Sequence, residues 1–413
     1  MHKKNRFTLV LILGLLSAIG PFSIDMYLPG FPAIAKDLGT TVEVVGYSLS
    51  SFFIGICLGQ LICGPLLDRY GRKKPLYVGL VIYMLASIGC ALAPSAELLI
   101  GLRFLQALGG CVGMVAPRAV VRDVFPVQES AKVFSMLVLV IGVSPIIAPT
   151  AGSYFITTLG WHSVFVVLAI ITAVITMAVF FRLPESKKPD PSVSLRPMPI
   201  LGAYGRVFKE PQFFTYAGTG AICSAALFAY ISGSPFVFMQ LFGVSEQHYG
   251  WIFALIAVGL IASSQFNNFL LKKFSSEQII RFILPFQLAI GILLFLGSYF
   301  GWTGLYSTIF LIFLFLSCQG LTFPNSSALA MAPFTRDAGS ASALMGAVQM
   351  GLGAFASALV GLLANNTAMP MTGVMAACAL MGLLILSMGT RKIRYQSRYE
   401  DVEEQTVDMI EKY

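Results

Sequence analysis

Charge is scarce in this sequence. Asp, Glu, Lys and Arg make up 11% of its 413 residues while 57% are hydrophobic, whereas ordinary soluble domains are roughly 25% charged. So little charge cannot cover a water-facing surface, and the chain reads as an integral membrane protein. Histidine is almost missing. His2, His162 and His248 all lie at a terminus or between apolar runs, and the runs hold no His/acid metal set and no Ser/His/Asp arrangement, so an enzyme is not expected. The seven cysteines (Cys57, Cys63, Cys90, Cys111, Cys223, Cys318 and Cys378) form no Cys-x-x-Cys pair and fall within apolar runs, which argues against metal and disulfide roles.

Long apolar runs are what the chain has instead. Twelve stretches of about 20 apolar residues recur, from residues 7–29 to 370–389, each able to cross a hydrocarbon layer roughly 30 Å thick. The N-terminus is basic and then apolar, like a signal peptide, but no small-residue cleavage site follows, so it reads as a retained first span. All but three of the 27 Lys and Arg fall on the side of both termini; Lys36 lies opposite, and Arg103 and Arg118 lie within the fourth span. Lys and Arg accumulate in cytoplasmic loops, so both termini are expected in the cytoplasm. The net charge of +8 is then a topology signal and calls for no nucleic-acid partner.

The longest polar insert, RLPESKKPDPSVSLRPMPILGAYGRVFKEP, separates six spans from six. It divides the chain into an N-terminal six-helix bundle (1–182), a cytoplasmic linker (183–211), a C-terminal six-helix bundle (212–390) and a cytoplasmic tail (391–413). Within the linker, ILGAYGRVFK is expected as a short amphipathic helix at the membrane surface. The polar, acidic tail is expected to be solvated or disordered. At an offset of 207 residues Pro117-Arg118 aligns with Pro324-Asn325 and Ala131 with Ala338. With equal span numbers and orientation, this weak echo points to a parallel duplication, as in transporters whose halves rock around a midplane site.

One residue stands out against the oil. Asp25, in GPFSIDMYLPG, is the only acid well inside any predicted span, and a carboxylate near a bilayer centre costs roughly 2.5 to 3.5 kcal/mol on insertion scales. Burial favours the neutral acid and a nearby guanidinium favours the carboxylate, so a cavity opening to either side can move such a group between the two. Asp25 is therefore the principal candidate for proton coupling. A structural ion pair with Arg103 is the other reading, and the two can coexist. Arg103, about two turns inside the fourth span, must face a cavity or a carboxylate rather than lipid. Arg118 lies near the opposite end of that span and either joins the cavity or snorkels.

The loop after span two reads GPLLDRYGRKK, from Gly64 to Lys74. Gly64 is expected where a neighbouring helix approaches closely and Gly71 where the chain turns tightly. Asp68 can meet an Arg or a helix N-terminus, and Arg72, next along from Arg69, can reach Asp123 at the end of span four. A solvated positive-inside loop is the plainer reading. The stretch fits the G-x-L-x-D-R-x-G-R-[RK] signature and so resembles the major facilitator superfamily. In span four, LRFLQALGG resembles the superfamily's R-x-x-Q-G element through Arg103 and Gln106, with Ala107 in place of the glycine. In span five, GVSPIIAPTAGSY is similar to the G-x-x-x-G-P-x-x-G-G pattern of drug/proton antiporters. It keeps Pro149 and Gly152 while Ser144, Ala148 and Ser153 replace glycines, and Pro145 adds a second proline to this candidate antiporter helix; ordinary small-residue packing is the alternative. With SIDMYLPGFP and GSPFVFMQLFGVSEQHYGWIFAL, the whole chain resembles the bicyclomycin/chloramphenicol-resistance (Bcr/CflA) subfamily.

That resemblance implies an all-α fold of twelve transmembrane helices in two six-helix bundles, in a bacterial inner membrane. It implies a proton-coupled multidrug efflux transporter that exports small amphipathic compounds such as antibiotics by alternating access, as a monomer, with protons, a small-molecule substrate and the lipid bilayer as partners. No cofactor is expected beyond the proton gradient. Asp25, Arg103 and Arg118 would handle proton and substrate, and Tyr27, Gln106, Tyr230, Phe236 and Asn325 would line the substrate cavity. Gly64, Asp68, Arg69, Gly71, Arg72 and Asp123 would latch the outward-facing state. Some relatives carry a second acid two turns before the span-one Asp; Ser17 stands there in this chain. The alternatives are an exporter of a native metabolite such as a sugar, amino acid or siderophore, and a non-transporting sensor on the same fold. Retention of Asp25 and Arg103 argues against the sensor.

Overall fold

The computed structural model describes residues 3–125, 127–191, 197–334 and 338–410, and among these it is wholly helical. Twelve helical segments are long and apolar enough to cross a membrane, as the sequence predicts. In the first half these are α1 (Lys3–Asp25) with α2 (Phe31–Asp37), α3 (Val42–Tyr70), α4 (Lys73–Ala91), α5 (Ala96–Val124), α6 (Val127–Leu159) and α7 (His162–Arg182). The connection carries α8 (Pro197–Lys209). The second half comprises α9 (Pro211–Pro235), α10 (Glu246–Leu270), α11 (Ser276–Phe300), α12 (Leu305–Met331), α13 (Ala338–Leu362) and α14 (Met369–Ile410). An even number of crossings returns the chain to the side it started from.

Local chemistry sets many of the ends. Ser95 and Ser245 accept hydrogen bonds from the amides of Leu98 and His248, capping α5 and α10. Ser275 and Gln278 form a reciprocal capping box at the start of α11. Large apolar side chains such as Val78, Phe180, Phe181 and Phe282 remain exposed along the outer faces, as helices bathed in hydrocarbon require. In contrast, α9 is buried over most of its length.

The first helix of each half breaks at the same end of the bundle, away from the termini. Helix α1 stops at Asp25, the chain passes through a short 3-10 turn at Leu28–Gly30, and α2 resumes at Phe31. Pro29 and Pro32 sit at the starts of the two new segments, where the missing N–H costs nothing. Helix α9 gives way after Pro235 to a π-turn over Phe236–Leu241. Paired interruptions of this kind at the interface of two repeats mark transport sites.

The halves meet along α3 against α13 and α6 against α10. The Ser50 hydroxyl donates to Ser357 Oγ at 2.8 Å, and the rings of Phe53 and Phe228 meet edge to face at 4.5 Å. The expected linker helix is present as α8. It buries Tyr204 and Val207, leaves Leu201 and Phe208 exposed, and donates a Tyr204 hydroxyl hydrogen bond to the Leu61 carbonyl in the first half. Past the last span, where a solvated or disordered tail was expected, α14 continues as helix to Ile410, which overturns the disordered alternative. Runs such as EDVEEQ are rich in helix-forming Glu and Gln, so polarity alone did not exclude a helix there.

Candidate functional site

The two charged residues buried in the membrane-spanning part of the first half do not pair. Arg103 is fully enclosed, at 0% exposure, and Asp25 is at 4%. The guanidinium lies over the rings of Phe52 at 4.2 Å and Tyr27 at 4.8 Å, with Phe165 at 5.8 Å. Its Nη1 donates to Gln106 Oε1 at 2.6 Å and its Nη2 to the Ser23 carbonyl at 2.9 Å. Aromatic faces are a suitable seat for a desolvated cation. Gln106 in turn donates to Ser87 Oγ at 2.7 Å, the Ser23 hydroxyl meets the Tyr83 hydroxyl, and the Tyr27 hydroxyl meets Ser48 Oγ at 2.6 Å.

The expected juxtaposition of Asp25 and Arg103 is therefore corrected. Residues 23 and 25 are about 200° apart around a helix with 3.6 residues per turn. Binding of the Ser23 carbonyl by Arg103 sends the Asp25 carboxylate away from it. Tyr27 and Gln106, expected to line the cavity, are members of this buried network.

Asp25 faces the second half. Its electrostatic neighbours are the phenols of Tyr230 on α9 and Tyr249 on α10. Contacts of the Leu28–Gly30 turn with both helices close this end of the bundle. Tyr249 shares a hydrogen bond with Ser234 Oγ at 2.8 Å, while Tyr230 stacks on Phe253 at 5.6 Å. The buried Tyr230 hydroxyl has no hydrogen-bond partner among the described residues. Tyr249 was missed from the sequence; its i, i+4 spacing from Phe253 within HYGWIF was the available signal. Of the other expected cavity residues, Phe236 lines a cleft at this end together with Gly46, Ser232 and Val360. Asn325 is buried and donates to Asn267 Oδ1 at 2.6 Å. Arg118 is exposed on α5, apart from the Arg103 network.

The antiporter-like helix α6 supports the Asp25 turn. It contains both Pro145 and Pro149, and Gly152 packs so closely that a Cβ there would collide with the Met26 carbonyl oxygen. Across the interface, a Cβ on Gly250 would lie 3.4 Å from the Pro149 carbonyl.

A family model described as Major Facilitator Superfamily matches residues 13–358. The chain belongs to the major facilitator superfamily. It is 35% identical over 388 residues to the uncharacterized MFS-type transporter YdgK of Bacillus subtilis (strain 168), covering 92% of this chain and 95% of that one. It is 30% identical to a bicyclomycin resistance protein homolog of Haemophilus influenzae (93% and 96% covered) and 28% identical to a chloramphenicol resistance protein of Pseudomonas aeruginosa (94% and 93%). These relatives place it in the Bcr/CflA branch of the drug:proton antiporter family. The fold matches a D-xylose-proton symporter with a TM-score of 0.71 at 13% identity (92% and 97% covered) and a bacterial homolog of the human lysosomal transporter Spinster with 0.69 at 16% (94% and 96%). The chain is thus a superfamily transporter of small molecules, multi-pass in a bacterial inner membrane.

The transporter's signature loop assembles at the end that carries the termini. Gly71 adopts a φ of +81°, a conformation that favours glycine. Arg72 is buried and forks onto Asp123, with Nε to Oδ2 at 2.8 Å and Nη2 to Oδ1 at 3.2 Å, while Nη1 donates to Asp68 at 3.0 Å. Arg69 lies over the ring of its neighbour Tyr70. The start of the linker completes the cluster, which sequence reasoning did not foresee. The Glu185 carboxylate accepts from the Arg72 and Lys73 amides at 2.6 and 3.1 Å, at the N-terminus of α4, Lys187 Nζ meets Asp68 at 2.7 Å, and Ser186 donates to Asp123 at 2.8 Å. Partial burial of Asp123 opposes its ionisation, but hydrogen bonds from Arg72 and Ser186 outweigh it and hold the carboxyl below its ordinary range. The expectation for Gly64 is corrected: a Cβ there would meet nothing within 4 Å, so no helix requires a glycine at that position.

Proposed function

We propose that this transporter exports small amphipathic compounds, antibiotics among them, by exchanging them for protons as its two halves alternate access. The observation that carries the reading is Asp25: a carboxylate enclosed between the halves at a break in α1, with no hydrogen bond or ion pair to it among the described residues. A group left without a fixed partner can gain and lose a proton as its surroundings change. One proton entering down a 100 mV potential supplies about 2.3 kcal/mol, plus the pH gradient, to move one solute outward. The resistance proteins among its relatives support a drug-like substrate. The Lys and Arg bias supports cytoplasmic termini. The chain acts as a monomer and draws on no cofactor besides the gradient.

Proteoliposomes with an imposed pH gradient test the reading. Asp25→Asn is expected to insert normally and to retain downhill movement of substrate, but to lose accumulation against its gradient. Uphill transport equal to the parent's would refute the coupling role.

A further inference from the structure

The phenols opposite Asp25 have no role in the reading above. Tyr230 and Tyr249 are buried at 1% and 0% exposure and come from two different helices of the second half. Both lie within electrostatic reach of the Asp25 carboxylate, which belongs to the first half. The Tyr230 hydroxyl and the Asp25 carboxylate each lack a hydrogen-bond partner among the described residues. A buried donor left unsatisfied is unfavourable, and the Tyr230 hydroxyl is such a donor, within electrostatic reach of a carboxylate across the joint that must open and close. The remaining ionisable groups packed around this end of α1 (Arg103, Tyr27, Tyr83 and Cys90) form a separate group on its opposite face. They leave Asp25 to the phenols.

We infer that Tyr230 and Tyr249 form a charge-sensitive lock: their hydroxyls donate to ionised Asp25, hold the α1 break against α9 and α10, and release it when Asp25 gains a proton or a bound substrate takes its place. The inference rests on the antiport reading and adds what antiport needs. An exchanger wastes the gradient if its empty, deprotonated form can reopen to the outside, because each such cycle carries a proton inward and exports nothing. A carboxylate held by two phenols closes that route. Protonation removes the charge that makes the hydrogen bonds strong, so the protonated form remains free to move. Tyr249 already shares its hydroxyl with Ser234, so it has an alternative partner whenever Asp25 is neutral.

The test is proton leak in the absence of substrate, measured with a pH-sensitive dye inside proteoliposomes carrying the full chain. Tyr230→Phe and Tyr249→Phe keep the rings and their stacking while removing the hydroxyls. Each is expected to raise the leak, by roughly tenfold if it removes one hydrogen bond to a charged group, and to reduce accumulation while downhill transport persists. Adding Asp25→Asn should abolish the extra leak. A correctly inserted Tyr230→Phe and Tyr249→Phe double variant with parental leak and full accumulation would overturn the lock. That result, together with loss of uphill transport in Asp25→Asn alone, would leave the antiport reading intact. Should one variant fail to insert, the other carries the same readout.

Discussion

Replacing Gly152 with alanine asks whether the seat of the Asp25 turn is built to close tolerance. The added Cβ would stand 2.7 Å from the Met26 carbonyl carbon and 2.8 Å from its Cα, and nearer still to the oxygen. Carbon atoms settle at about 3.5 to 4.0 Å, so either α6 or the chain just after Asp25 must retreat by about 1 Å. Overpacking in a tight interior costs roughly 1 to 3 kcal/mol, and the upper part of that range applies because the obstacle is backbone, which cannot rotate away as a side chain can. The displaced segment carries the carboxylate, so the effect on transport should exceed the effect on stability: a fall of roughly tenfold or more in exchange rate, at about 1.4 kcal/mol per decade, with a lowered melting temperature. Purified protein followed by thermal unfolding in detergent and by exchange in proteoliposomes gives both numbers. Gly64→Ala is the control, since its Cβ meets open space, and it should leave both unchanged. Parental exchange and melting in Gly152→Ala would refute the close approach of α6 to the α1 break.

Other perturbations probe the remaining elements. Asp68→Asn weakens the contacts with Arg72 and Lys187, and transport should slow several-fold while substrate affinity, measured by equilibrium binding, stays constant; normal turnover would count against a latch. Arg103→Met removes two charge-assisted hydrogen bonds but also the burial of a cation, and these opposing costs should leave melting little changed. Transport should nevertheless fall, because nothing then fixes the Ser23 carbonyl; a stable variant with full transport would show that the guanidinium does not position α1. Asp123 is depressed in the folded protein, so its contribution is present above the ordinary aspartate range near 3.8 and fades as pH falls through its lower folded value. Melting curves from neutral pH downward should therefore show an acid-side loss that Asp123→Asn abolishes.

The architecture was legible because the bilayer is a demanding solvent. It forces every span to be long, apolar and helical, so composition carried the number and position of the spans. The break after Asp25 was also written in the chain, as Pro29 and Pro32 following the acid, although only the structure shows that the helix stops there. Contacts between distant segments were not legible. Glu185 meets Arg72 across 113 residues of sequence, and no local pattern announces that a linker carboxylate will cap α4. Gly64 shows the opposite failure. It matches a signature position yet abuts nothing, so the pattern alone assigned it a packing role that the space around it does not require.

The separation of Asp25 from Arg103 bears most directly on how such a protein works. Sequence places a buried acid in span one and a buried base in span four, and their pairing is the natural inference. Paired at hydrogen-bond distance in a low dielectric, however, each would hold the other charged, and breaking a buried pair leaves an uncompensated charge at a cost of about 3 to 5 kcal/mol. Such a carboxylate resists protonation in whichever state the pair persists. With the cation seated among Phe52, Tyr27 and Phe165 and bound to a backbone carbonyl, its charge is accommodated without a carboxylate. It fixes the end of α1 and leaves the ionisation of Asp25 to be decided across the interface, by groups that move when the halves move. On the antiport reading proposed above, that arrangement would couple a proton to a rotation of the bundles, whereas an ion pair confined to one half would travel with it unchanged.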